Sequence, residues 1–229
     1  MSTFTQLIRQ EANQIWEANF NHPFVQGIAR GTLPLESFRY YILQDSYYLS
    51  HFARIQAIGA SRAEDLSITA KMAVHAQGTY QAELGLHESF MGQLGVTKED
   101  LKSFEPAPTA YAYTSHLYRV AASGSLGEII AAILPCYWIY HEIGELLKDA
   151  TPETPVYQEW IAAYGSDWFS KLVNEQINLL DALAENASEK EKEKMKQHFL
   201  ISCHYELQFW EMAFTLEGWT VNKLNAISK

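Results

Sequence analysis

Apolar residues return every three to four positions along almost the whole chain, the spacing that lines one face of an α-helix. Phe4, Leu7, Ile8, Ala12, Ile15 and Trp16 form the first such stripe behind a Thr3-x-x-Gln6 capping box, and Asn21-His22-Pro23 stops it. A short helical piece ends at Gly31. Pro34 then opens a long segment to about Ala63, with Phe38, Tyr41, Ile42, Asp45, Tyr48, Leu49 and Phe52 on its inner face. The pattern predicts a third helix from about Ala63 to Leu94, closed by Gly95. A Thr97-x-x-Asp100 turn and the Glu105-Pro106-Ala107-Pro108 break lead to a fourth helix, which ends at Gly124. Ser125-x-x-Glu128 caps a fifth, which turns Ile129, Ala132, Ile133, Cys136, Tyr140, Ile143 and Leu147 inward. After a break from Thr151 to Pro155 come a short helix to Tyr164, another from Ser166 to about Glu185, and a last one capped by Ser188-x-x-Glu191. The last helix points Met195, Phe199, Ser202, Glu206, Phe209 and Ala213 inward. No period-2 strand and no internal repeat interrupts this pattern. The expected architecture is an all-α helical bundle, one domain over residues 1–229.

Three inward positions carry groups that burial ordinarily rejects: Asp45, Cys136 and Glu206. A carboxylate taken out of water is costly unless it is hydrogen-bonded or has a chemical task. Asp45 and Glu206 sit among aromatics, with no basic residue within a turn except His204. Both a pair of structural, hydrogen-bonded carboxylates and a catalytic pair satisfy that pattern. Cys136 reads either as a small packed core residue or as a nucleophile, with Cys203 as its rival. Pro135 frees the Ala131 carbonyl beside the thiol and favours a special environment there. Tyr48, Tyr113, Tyr140, Tyr164 and Phe209 are each ordinary core residues, yet together they suit a flat heterocycle.

Charge and composition narrow the classes. The 17 Lys and Arg against 27 Asp and Glu leave a net charge of -10, which repels nucleic-acid phosphates and anionic membranes. The longest apolar run, 129–140, is too short to cross a bilayer and is interrupted by Pro135, so no membrane span is expected. No secretory signal is readable at the N-terminus, which makes a reducing cytoplasm the expected compartment and the two cysteines free thiols. Carboxylate-bridged iron in a bundle wants Glu-x-x-His pairs on two helices, and none occurs. His141-Glu142-x-x-Glu145 also lacks the last ligand of a His-Glu-x-x-His zinc site. His87 reads as a buried or supporting histidine, on one stripe with Tyr80 and Leu84. No metal and no cofactor is expected.

Ordered blocks along the chain carry a resemblance. They include His22-Pro23-Phe24-Val25-Gln26-Gly27-Ile28, Gln44-Asp45-Ser46-Tyr47-Tyr48-Leu49, His75-Ala76-Gln77-Gly78, Tyr113-Thr114-Ser115-His116, Leu134-Pro135-Cys136-Tyr137-Trp138 and Gln208-Phe209-Trp210. In these the chain resembles the TenA/thiaminase II family, the aminopyrimidine aminohydrolases of thiamin salvage. The resemblance implies a haem-oxygenase-like fold and a homotetramer. It implies a small-molecule substrate, 4-amino-5-aminomethyl-2-methylpyrimidine, hydrolysed to the 5-hydroxymethyl compound and ammonia, with cleavage of thiamin as a related activity. By the same resemblance Cys136 is the nucleophile and Glu206 the proton donor. Asp45, Tyr140 and Tyr164 contact the substrate, Tyr48 enhances the nucleophile, and Tyr113, His87 and Phe209 complete the pocket. A bundle of this kind that only binds a pyrimidine or haem, in a regulatory role, is the alternative.

Overall fold

The computed structural model describes residues 2–82 and 88–220, and among them the secondary structure is entirely helical. In chain order the helices are α1 (Phe4–Glu11), α2 (Asn13–Phe20), α3 (Pro23–Arg30), α4 (Leu35–Arg62), α5 (Leu66–Ala82) and α6 (Glu88–Gln93). They continue as α7 (Lys98–Lys102), α8 (Pro108–Ser123), α9 (Leu126–Leu147), α10 (Pro155–Tyr164), α11 (Asp167–Glu185) and α12 (Glu189–Thr215). Their ends follow local chemistry. Thr3 and Thr97 form full capping boxes with Gln6 and Asp100, and the hydroxyls of Ser125 and Ser188 accept from the third amide of α9 and α12. His22 begins α3 in the same way: its Nδ1 accepts from the Phe24 amide and its Nε2 lies 3.1 Å from Glu211. Gly31 closes α3 at φ +67°, a left-handed conformation that a side chain would strain.

The predicted first helix is two, since Ala12 at ψ −1° interrupts the helical run between α1 and α2. Within its stripe Ile8, Ala12 and Trp16 are buried, whereas Leu7 is exposed. The predicted third helix appears as α5 and α6. Its continuity across 83–87, and His87 with it, lies outside the described residues. Tyr80 faces solvent rather than the core, because α5 lies on the outside of the bundle and buries little beyond Met72 and His75.

α9 is the axis of the bundle. Its first half is buried on every side, and the helix contacts α4, α8, α10, α11 and α12. Every residue from Leu126 to Pro135 is buried. Trp16, Trp160 and Trp210 fill the space around it, and each indole N–H has an acceptor: Glu142, the Tyr41 hydroxyl and Asn19 respectively. Gln44 holds the 105–107 break against α4, donating to the Glu105 carbonyl and accepting from the Ala107 amide. All six inner-face residues predicted for α12 are buried, Glu206 among them. No described helix is long and apolar enough to cross a membrane.

Candidate active site

Where α4, α5, α9, α10 and α11 meet, the bundle encloses a cavity of about 380 Å³, within the range of small-ligand sites. Asp45, Cys136, Tyr140 and Tyr164 line it, four of the residues singled out from the sequence. Glu206, Tyr48, Tyr113 and Phe209 do not reach the cavity surface. They form a buried layer around Cys136, within which Glu206 and Tyr48 act on the thiol electrostatically.

The pieces are set by helix register. Cys136 and Tyr140 are four residues apart on α9 and so share a face. Pro135 has no N–H for the Ala131 carbonyl, which loosens the helix at the thiol. Tyr164 ends α10, and its ring stands 4.8 Å from those of Tyr140 and Trp160. That closeness depends on Gly144. A Cβ there would meet the Tyr164 carbonyl carbon and the Gly165 nitrogen at 2.4 Å, so α9 and the end of α10 touch backbone to backbone. The Tyr48 ring lies tilted 4.8 Å from that of Tyr113 and edge-on 5.8 Å from that of Phe209.

Electrostatics follow from burial. Burial pushes the Glu206 carboxyl up to about 8, with the charge of Asp45 adding to the rise; a 2.6 Å hydrogen bond from the Tyr113 hydroxyl to Oε1 works against it. Glu206 therefore keeps its proton through neutral pH. Burial first, then Glu206 and Asp45, raise the Cys136 thiol well above its ordinary range, and the Tyr48 hydroxyl opposes this. Tyr48 Oη is buried with no partner of good hydrogen-bond geometry, so it is available to a thiolate. Cys203 is fully buried behind the layer, apart from the cavity. Among the described residues no group of three His, Cys, Asp or Glu is placed to hold a metal ion.

Sequence reasoning missed one wall of the cavity. His75 and Thr79 of α5 and Tyr137 of α9 line it; Thr79 and Tyr137 bond to Gln56, and His75 bonds to Tyr137. His75 and Tyr137 do lie in blocks that carry the resemblance, but nothing in their spacing marks them as neighbours.

The chain is 53% identical over 226 residues to an aminopyrimidine aminohydrolase of Bacillus subtilis, covering 99% of this chain and 96% of that protein. It superposes on the TenA homologue of P. horikoshii OT3 with a TM-score of 0.85 at 32% identity, covering 93% of this chain and 99% of the other. A Shewanella denitrificans domain described as having a heme oxygenase-like fold matches with a TM-score of 0.72 at 19% identity, covering 94% and 93%, and so shares the fold. The model of the TENA/THI-4/PQQC family matches residues 9–216, a span that contains every helix lining the cavity, and the chain belongs to that family.

Proposed function

We propose that this chain is an aminopyrimidine aminohydrolase of thiamin salvage in which Cys136 attacks the pyrimidine ring and Glu206 supplies the proton for the departing amine. The observation that carries the reading is a single thiol at the wall of the cavity, backed by a buried carboxyl that is still protonated near neutrality. Direct displacement at the exocyclic carbon is slow, because the aromatic ring has no means of expelling an amine. Addition of sulfur to the neighbouring ring carbon removes the aromaticity, with the thiol proton passing to a ring nitrogen. Asp45 accepts from the amino edge of the ring and orients it between Tyr140 and Tyr164. The C–N bond then breaks toward nitrogen, which takes the Glu206 proton and leaves as ammonia. Water adds to the resulting exocyclic methylene, the C–S bond breaks, and the thiol recovers its proton from the ring.

Tyr48 favours the ionised sulfur, and Tyr113 and Phe209 hold the layer in place. The protein works as a cytoplasmic homotetramer, a state supported by the resemblance and by the apolar exposed face of α5 at Leu66, Val74 and Tyr80. A monomer mass by light scattering at micromolar concentration would exclude the tetramer. The decisive test incubates pure protein with the aminomethylpyrimidine and measures ammonia. Cys136→Ser should turn over at least about a hundredfold more slowly, because a hydroxyl is far less ionised and less nucleophilic than a thiol, whereas Cys203→Ser stays active. The reverse pattern would overturn the assignment.

A further inference from the structure

The α5 wall of the cavity holds a continuous hydrogen-bonded chain that the reaction as described does not use. Thr79 Oγ1 donates to Gln56 Oε1 at 2.9 Å, which directs the Gln56 amide nitrogen to Tyr137 Oη at 2.5 Å. Tyr137 oxygen is therefore an acceptor from Gln56, and its own O–H is free to donate to His75 Nδ1, 3.0 Å away. That fixes the imidazole tautomer with its proton on Nε2. Nε2 is buried with no partner but the Glu175 carboxylate, whose Oε2 lies 3.3 Å away. Glu175 is 41% exposed while His75 is 1% exposed, so the chain leads from the cavity to the protein surface through buried groups. Its inner end, Tyr137, is the neighbour of Cys136 on α9 and lines the same cavity.

Hydrolysis of the covalent intermediate needs an acceptor for a proton. As the water oxygen bonds to the methylene carbon, one O–H bond must break. Glu206, in the buried layer around the thiol, serves the departing nitrogen in the reading above, whereas the Tyr137 ring is part of the cavity wall on the α5 side. We propose that Tyr137 receives and orients this water, and that His75 and Glu175, as positioning residues behind it, conduct its proton to the surface. The inference rests on the Cys136 reading given above. In the transfer, the water proton passes to Tyr137 Oη, the tyrosine proton to His75 Nδ1, and the Nε2 proton to Glu175 and on to solvent. The imidazole, left with its proton on Nδ1, resets by a ring flip, and Glu206, ionised when ammonia left, regains its proton from the ammonium form in which the next substrate arrives, so each turnover balances. The role gives a buried polar chain ending at a cavity a task, where apolar side chains of the same volume would fill the space without desolvation cost.

The test separates the two half-reactions by rapid quench, measuring ammonia and hydroxymethyl product in the first turnover of wild type, His75→Gln, Glu175→Gln and Cys136→Ser. His75→Gln should release about one equivalent of ammonia per site at the wild-type rate and then form the alcohol roughly tenfold to a hundredfold more slowly. Intact-mass measurement should show the pyrimidine, less ammonia, attached to the protein. Glu175→Gln, a change near the surface, should show the same partition more weakly, and it decides the matter if His75→Gln does not fold. A merely structural role predicts that ammonia and alcohol slow together, or that neither changes, and either result with Cys136→Ser inactive overturns the relay alone. Ammonia release by Cys136→Ser at the wild-type rate would remove the covalent intermediate, and the relay with it.

Discussion

Glu206→Gln should remove a specific slope from the pH dependence of stability. Burial raises this carboxyl from an ordinary value near 4.5 to about 8, so between those limits the folded chain holds a proton that the unfolded chain has released. Stability then falls as pH rises, by about 1.4 kcal/mol per pH unit, and the stabilising proton is fully present only below the unfolded value. Between pH 6 and 9 the wild type should lose about 3 kcal/mol from this one group. The glutamine keeps the side-chain shape and the acceptor for Tyr113, but has no proton to lose. Burial lowers the values of His22, His75, His116 and His198, which gives the opposite slope on the acid side. Those histidines are common to both proteins, so the difference between them isolates Glu206. Urea unfolding at pH 6, 7, 8 and 9 measures it, as a gap in midpoint that widens in favour of the variant by about 1 M or more. Stability curves that stay parallel within about 0.5 kcal/mol over this range would show that Glu206 is not held protonated, and the donor role would fall with it.

In kinetics the same variant should lose roughly two to four orders of magnitude in rate, while product affinity stays within about tenfold. Asp45→Asn should instead weaken product binding by more than about tenfold, because an amide cannot accept from both donors of a protonated aminopyrimidine edge; equilibrium titration with the hydroxymethylpyrimidine distinguishes the two. Tyr113→Phe removes the hydrogen bond that holds the Glu206 value down, so the alkaline limb of its pH–rate profile should move upward; a limb that stays or moves down contradicts the pairing. Gly144→Ala drives a methyl group into the backbone at Tyr164 and should destabilise the fold by roughly 1–3 kcal/mol, with KM raised more than kcat is lowered.

Helices, their caps and their inward faces were legible because each is a local property. A Ser or Thr three residues before its partner, and an apolar residue every third or fourth position, specify an element without reference to the rest of the chain. That is why Asp45, Cys136, Glu206 and the Tyr140 face stood out before any packing was known. Where local signals were weak the reading slipped. Ala12 divides a helix that its stripe runs through, and Leu7 and Tyr80 face water although they share the apolar period.

Tertiary structure alone decided which inward residues pack and which enclose space. Glu206 and Asp45 look equivalent along the sequence, yet Asp45 lines the cavity and Glu206 lies in the layer behind the thiol. The separation arises from how α4, α8, α9 and α12 cross, and no single helix encodes it. Gln56, His75, Thr79, Tyr137 and Glu175 are scattered over four helices and become one hydrogen-bonded chain only when α5 and α11 are laid against α4 and α9. Protonation of Glu206 is equally collective: a carboxyl is displaced from its ordinary value by the sum of all neighbours that exclude water from it. Spacing fixes the direction a side chain faces along its own helix, whereas desolvation depends on every other helix that closes around it.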